Sequence, residues 1–284
     1  MLGWWVKKDI DPERLKRELS QARRLSPKLK RLLRRLKPEK AAELILACWP
    51  SLCSSLQANL KVWFKEEGLV EEWLGLLKAG SSEARASVSE LLGILGQSRA
   101  LGLLLSALAD RDEAVQMAAA AGLVYLRDPR CLEPLALALA EPQGKIPPAR
   151  VAQVLVAFGE ASIPYLASLL EKVPAEIVAR ILEILGSIGG PQVLPYLTWG
   201  LKNHKAAIRV AAARALGEAG LEEAGEELLR VLTDEDPKVR AAAAYTLGRL
   251  KYLRALPYLK RAVEDSSWQV RTSAKVALKA LEGT

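Results

Sequence analysis

The chain has 284 residues, 41 Lys/Arg against 33 Asp/Glu, a net charge of +8, and is half hydrophobic but only 5% aromatic. With 52 Leu and 43 Ala, about a third of it is of two strong helix formers, so its apolar surface excludes disorder and its few β-branched and aromatic residues exclude an all-β fold. Three cysteines in so long a chain exclude a disulfide-stapled secreted domain and predict reduced thiols in a cytoplasmic setting.

The basic excess lies at the start. Residues 1–40 hold fourteen Lys/Arg and five Asp/Glu, whereas the other 244 residues hold 27 and 28. The pI near 9.4 therefore describes a basic arm on a nearly neutral body, which argues against a body built as one long nucleic-acid channel. No apolar run reaches the ~20 residues that span a bilayer, and no complete secretory signal is present. Trp4-Trp5-Val6-Lys7-Lys8 has the composition of the cytoplasmic edge of a membrane helix, so a span could precede the chain; its plainer reading is an exposed tail docked on the first helices.

Pro12 to Leu36 reads as basic helix with an apolar stripe at Leu15, Leu19, Ala22, Leu25, Leu29, Leu32 and Leu36. Ser26-Pro27 offers an N-cap and a helix-start proline, so two helices can meet there. The opposite face carries Arg23, Arg24, Lys28, Lys30, Arg31, Arg34, Arg35 and Lys37, an arrangement suited to an anionic membrane surface and, as a lesser alternative, to nucleic-acid phosphates. The plain alternative is that the stripe packs on the first repeats and the charges are solvated. Residues 38–68 form a degenerate pair, Pro38 to Trp49 and Ser51 to Phe64, that serves as a cap. Five of seven tryptophans fall in this first quarter, as expected where large side chains seal an end.

Residues 69–284 are repetitive. Arg209, Arg240 and Arg271 recur every 31 residues, as do Leu216, Leu247 and Leu278; Arg85 lies four such periods before Arg209. Each unit reads as two helices, with Asp234, Asp236 and Asp265 in turns where a carboxylate can cap the next helix. One pair cannot bury both its faces, so stacking must supply the core. The run Asp-x-x-Val-Arg-x-x-Ala-Ala-x-x-Leu-Gly, from Asp236 to Gly248, resembles the HEAT repeat, especially the short variety named after phycobilin lyases. The resemblance implies an all-α, right-handed α-solenoid of about seven helix pairs with an atypical N-terminal helical cap. It also implies that the second helices line a concave face, and that turn Asp and helix Arg form a ladder between neighbours. Gln116, Pro148 and Val178 interrupt that ladder.

Catalytic patterns are missing from the sequence. The one histidine, His204, sits at a repeat turn, and HEAT-like hydroxylases that bind two irons need several His-Glu pairs. Cys48 and Cys53 lack zinc-ligand spacing, and Cys131 is remote. There is no phosphate loop and no nucleophile elbow. HEAT-like DNA glycosylases should bring an Asp and aromatic residues to a basic concave face. The exposed phases here give Glu90, Tyr125, Arg150, Gln153, Arg180, Glu183, Arg214, Glu218, Tyr245 and Arg249, with no Asp or Trp. The expectation is a scaffold without cofactor or metal that binds another protein through Arg150, Gln153, Arg180, Glu183, Arg214, Glu218, Tyr245 and Arg249. On a purely solvated surface, Glu183 would pair with Arg180 and Arg214. The alternative is an enzyme, a phycobilin lyase or an alkylated-base glycosylase.

Overall fold

A chain so rich in Ala and Leu satisfies its backbone within helices, and the computed structural model, which describes residues 12–141 and 144–283, contains helices and no strand among those residues. Trp4 to Lys8 and Pro142 lie outside the described residues. Among the described residues eighteen α-helices follow one another. The first four are α1 (Pro12–Gln21), α2 (Pro27–Leu33), α3 (Pro38–Cys48) and α4 (Ser54–Glu66). Seven pairs come next: α5 (Leu69–Ala79) with α6 (Ser82–Ile94), α7 (Leu101–Ala107) with α8 (Glu113–Leu126), and α9 (Leu132–Ala140) with α10 (Pro148–Phe158). The remainder are α11 (Ile163–Ala167) with α12 (Ala175–Ile188), α13 (Leu194–Leu201) with α14 (Ala206–Ala219), α15 (Gly225–Val231) with α16 (Pro237–Arg249), and α17 (Leu256–Ala262) with α18 (Trp268–Glu282). The chain forms two compact units, one of the residues up to Cys131 with Lys145–Arg150, the other of Leu132–Gly144 with the residues from Val151 onward.

In the first unit the basic segment is two helices: α1 stops at Gln21, and Ser26 caps α2 by accepting the Leu29 N–H at 3.2 Å. The break resets the helical phase. Leu15, Leu19 and Leu29 of the apolar stripe are buried, but Leu33 takes the next inward position while Leu32 and Leu36 are only half-buried. The helix α1 packs on α3. The cap pair is also reversed relative to the repeats: its first helix, α3, packs on α5 and α6, and its second, α4, on α5. Aromatic rings fill this region. Phe64 lies 5.4 Å from Trp63 and 5.0 Å, edge-on, from Trp73 between ring centroids. Trp73 is fully buried, and its indole N–H donates to Pro38 O at 2.9 Å, so its polar atom is satisfied.

The second unit stacks α12, α14, α16 and α18 on one another in turn. The repeating Leu-Gly explains the closeness. A Cβ on Gly248 would lie 2.5 Å from Ala277 Cα, and one on Gly186 would lie 2.8 Å from Ala215 Cα. Within the first unit, Gly93 and Gly122 make the corresponding approach between α6 and α8.

The arginine ladder forms. Arg85 grips Asp110 through Nε and Nη2, both at 2.8 Å. Arg209 grips Asp234 at 2.8 Å, and Arg240 grips Asp265 at 2.9 Å, each through the same two nitrogens. These bidentate bonds hold the Asp110 and Asp265 carboxyls below the usual carboxylate range. Asp236 caps α16 as expected, accepting the Lys238 N–H at 2.7 Å. Asp234 and Asp265 do not cap in that way; each accepts the N–H two residues on and gives the carboxylate to the preceding arginine. Of the three interruptions, Gln116 keeps half of the arginine's role, donating to Asp110 O at 2.7 Å. Val178 is simply buried, and Pro148 begins α10.

Candidate functional site

The side chains that face away from the core on α12, α14, α16 and α18 surround a groove of about 830 Å³ in the second unit. Each helix contributes residues one or two turns apart, since positions three or four apart share a helix face. Glu183 and Ser187 come from α12, Arg214 and Glu218 from α14, Lys238, Tyr245 and Arg249 from α16, and Gln269 and Ser273 from α18. Ala215, Ala242 and Thr246 form the floor. Thr246 is buried and gives its hydroxyl proton to Ala213 O at 2.9 Å, so the floor spends its polar atom internally. Tyr245 stands 50% exposed above it.

The groove gathers five of the eight expected partner-binding residues: Glu183, Arg214, Glu218, Tyr245 and Arg249. Arg150, Gln153 and Arg180 are not among its lining. Arg150 instead pairs with Glu113 at 2.9 Å, and Gln153 is exposed on α10. The charge pairing also differs from that of a purely solvated surface. Glu183 forms no ion pair with Arg180 or Arg214 among the described residues; the pair that forms is Glu218 with Arg249, at 2.9 Å. Exposed pairs of long side chains gain little over hydration, so sequence phase does not decide between such partners. Arg214 and Lys238 are exposed and engage no carboxylate among the described residues. Sequence reading missed Lys238, Gln269 and Ser273. The signal lies in the period: Lys238 and Gln269 are 31 residues apart, as are Ala242 and Ser273.

The basic face of α1 and α2 is divided between docking and exposure. Lys28 pairs with Glu18 at 3.0 Å, Arg34 pairs with Glu67, and Lys30 and Arg34 each lie 5.9 Å from the Trp63 ring. Arg23, Arg24, Arg31, Arg35 and Lys37 are exposed and form no ion pair among the described residues. Elsewhere, burial pushes the half-buried Glu90 carboxyl up. Cys48 and Cys131 are buried and Cys53 is exposed; burial raises the Cys48 thiol and pushes that of Cys131 up to about 11. Exposed His204 supplies only its carbonyl, to Arg209 Nη1 at 3.0 Å. Among the described residues no group of three His, Cys, Asp or Glu could hold a metal ion, and no helix is long and apolar enough to cross a membrane.

The helix-pair repeats agree with the sequence comparisons. The family model of HEAT repeats matches residues 163–233 and 197–279, and that of the PBS lyase HEAT-like repeat matches 115–141. Together the matches cover half of the chain, which belongs to the HEAT repeat proteins and folds as an all-α solenoid of HEAT-like helix pairs. No curated protein matches it. Among solved structures it is similar to human deoxyhypusine hydroxylase, at 20% identity over 96% of both chains and a TM-score of 0.40. It is also similar to the complex of CpcE and CpcF of phycocyanin lyase from Nostoc, at 25% identity over 75% of this chain and 94% of that one, TM-score 0.36. The archaeal HEAT-like repeats protein from Thermococcus onnurineus shares 14% identity over 75% of this chain and 97% of its own, TM-score 0.44. None of the three reaches a TM-score of 0.5, so family membership rests on the repeat matches.

Proposed function

We propose that the chain is a non-catalytic scaffold of a reducing, cytoplasmic setting that holds a segment of another protein in the groove of α12, α14, α16 and α18. The observation that carries this reading is the convergence of Arg214, Tyr245 and Arg249 around about 830 Å³ of open space, since Tyr and Arg are the side chains most often dominant in interfaces. The Glu218–Arg249 pair fixes one wall, and Arg214 and Lys238 are left to meet acidic or carbonyl groups of the partner. Gln153 and Arg180, exposed or half-exposed elsewhere in the second unit, and Arg150 of the first are not part of this groove and are left out of the proposed contact. The test is affinity purification with crosslinking, comparing the wild type with the triple variant Arg214→Ala, Tyr245→Ala, Arg249→Ala. Loss of a specific partner with an unchanged melting temperature is expected; equal recovery would move the site. The non-catalytic reading also requires that purified protein shows neither of the enzyme activities that the sequence leaves as alternatives, phycobilin lyase and alkylated-base glycosylase.

A second reading is favoured by one observation, that Arg23, Arg24, Arg31, Arg35 and Lys37 are exposed and meet no carboxylate among the described residues. Each basic side chain near an anionic bilayer contributes about 1 kcal/mol, so this face would bring the scaffold to such a membrane. Flotation with phosphatidylserine vesicles should recover the chain and lose the variant with all five changed to Gln; equal recovery would remove the face from the account.

A further inference from the structure

The fourth ladder arginine is anchored like the others, and among the described residues no carboxylate meets its other edge. Arg209 anchors its Nη1 on the carbonyls six and five residues before it, Asn203 O at 2.9 Å and His204 O at 3.0 Å; Arg240 does so on Asp234 O at 2.7 Å and Glu235 O at 3.2 Å. Arg271 has the same anchor, Asp265 O and Ser266 O, both at 2.8 Å. In Arg209 and Arg240 the remaining edge, Nε with Nη2, receives an aspartate at 2.8–2.9 Å. No described carboxylate reaches that edge of Arg271. A guanidinium held by two carbonyls with its fork directed outward is preorganised for a carboxylate.

The rest of the same face has changed in character. One period after Ala244 and Gly248 come Lys275 and Lys279. Ala244 and Gly248 are buried, and Gly248 is overlaid by Ala277; Lys275 and Lys279 are exposed and form no ion pair among the described residues. A lysine in the glycine position forbids the close approach by which these repeats stack. Arg271, Lys275 and Lys279 are spaced by four, so they form one basic line along α18, about 6 Å apart.

We propose that this face of α18 binds an acidic segment of another protein, an aspartate seated bidentately on Arg271 and further carboxylates on Lys275 and Lys279. The site is separate from the groove, and its test does not depend on the groove's occupant. The bidentate geometry that Asp234 and Asp265 show on Arg209 and Arg240 is the reason to assign a carboxylate partner.

The test uses the full chain, labelled for detection of arginine Nε–Hε resonances, and the acetylated hexapeptide Thr-Asp-Glu-Asp-Pro-Lys, which copies residues 233–238, with an Asn-substituted peptide as control. The acidic peptide should shift the Arg271 resonance, and the control should not. Arg271→Gln keeps the backbone anchor, as Gln116 does on Asp110 O, and should weaken binding about tenfold, the effect of losing a charge-assisted bond pair. The exposed double variant Lys275→Ala, Lys279→Ala should weaken it severalfold with an unchanged melting curve. Equal affinity in both variants would overturn the proposal. So would a ten-residue DNA strand that binds the wild type more tightly than the peptide and is lost in the same variants, because that face would then read phosphate.

Discussion

Around Trp73 the helices are spaced by rings, with Phe64 and Trp63 filling the gaps and one indole bond tying α5 to the start of α3. Around Gly248 a neighbouring helix lies so close that a methyl group would meet its backbone, and a bidentate Arg–Asp bridge crosses between repeats instead. The two regions meet the same need, joining one helix pair to the next, by opposite means. Large side chains adapt to a pair whose order is reversed, as α3 and α4 are. Small ones work only where every repeat has the same geometry, because backbone contact leaves no adjustable atoms between the helices.

The largest effect should come from emptying the aromatic region. Trp73→Ala should cost about 3–5 kcal/mol in denaturant unfolding. Trp73→Phe should cost far less if packing dominates over the bond to Pro38 O. The ladder comes next. Asp265→Asn should cost about 1.5–3 kcal/mol by weakening the bond to Arg240. Because the Asp265 carboxyl is held below its ordinary value, its contribution is complete above about pH 4 and is lost as pH falls through the folded value. Acid titration of stability should therefore be shallower in Asp265→Asn than in the wild type, and identical slopes would show that the bridge is idle. Gly248→Ala should cost about 1–3 kcal/mol, the penalty of overpacking against backbone. Gly75→Ala sharpens the contrast: in α5 of the first unit nothing lies within 4 Å of the added methyl, so helix propensity alone should raise stability by up to about 1 kcal/mol.

The repeats were legible because Arg209, Arg240 and Arg271 fix one phase and Leu216, Leu247 and Leu278 another; two phases at one period determine which face is inward. The groove was legible in part for the same reason, since side chains at one phase on stacked helices become neighbours. What the period does not encode is rotamer choice, so Glu218 with Arg249 could not be told from Glu183 with Arg214. The order of α3 and α4 was hidden because that pair carries no copy of the repeat. Its leucine and tryptophan positions reveal which faces are apolar and not which neighbour each face meets. The stripe of α1 and α2 was misphased beyond Leu29 because a capped break shifts the helical register, and no periodic pattern continues through such a break.

The three thiols also differ in a way that bears on how the molecule can be followed in solution. Cys131 is buried with its proton held to about pH 11, and Cys48 is buried and shifted in the same direction. A thiolate is the reacting species in alkylation, so at neutral pH a maleimide dye should find Cys53 alone. That places a single label at the start of α4, beside the docked basic helices and far along the chain from Arg214 and Arg271. Fluorescence from that one position would report whether the basic segment lifts from α4, with no cysteine needing to be engineered in or out.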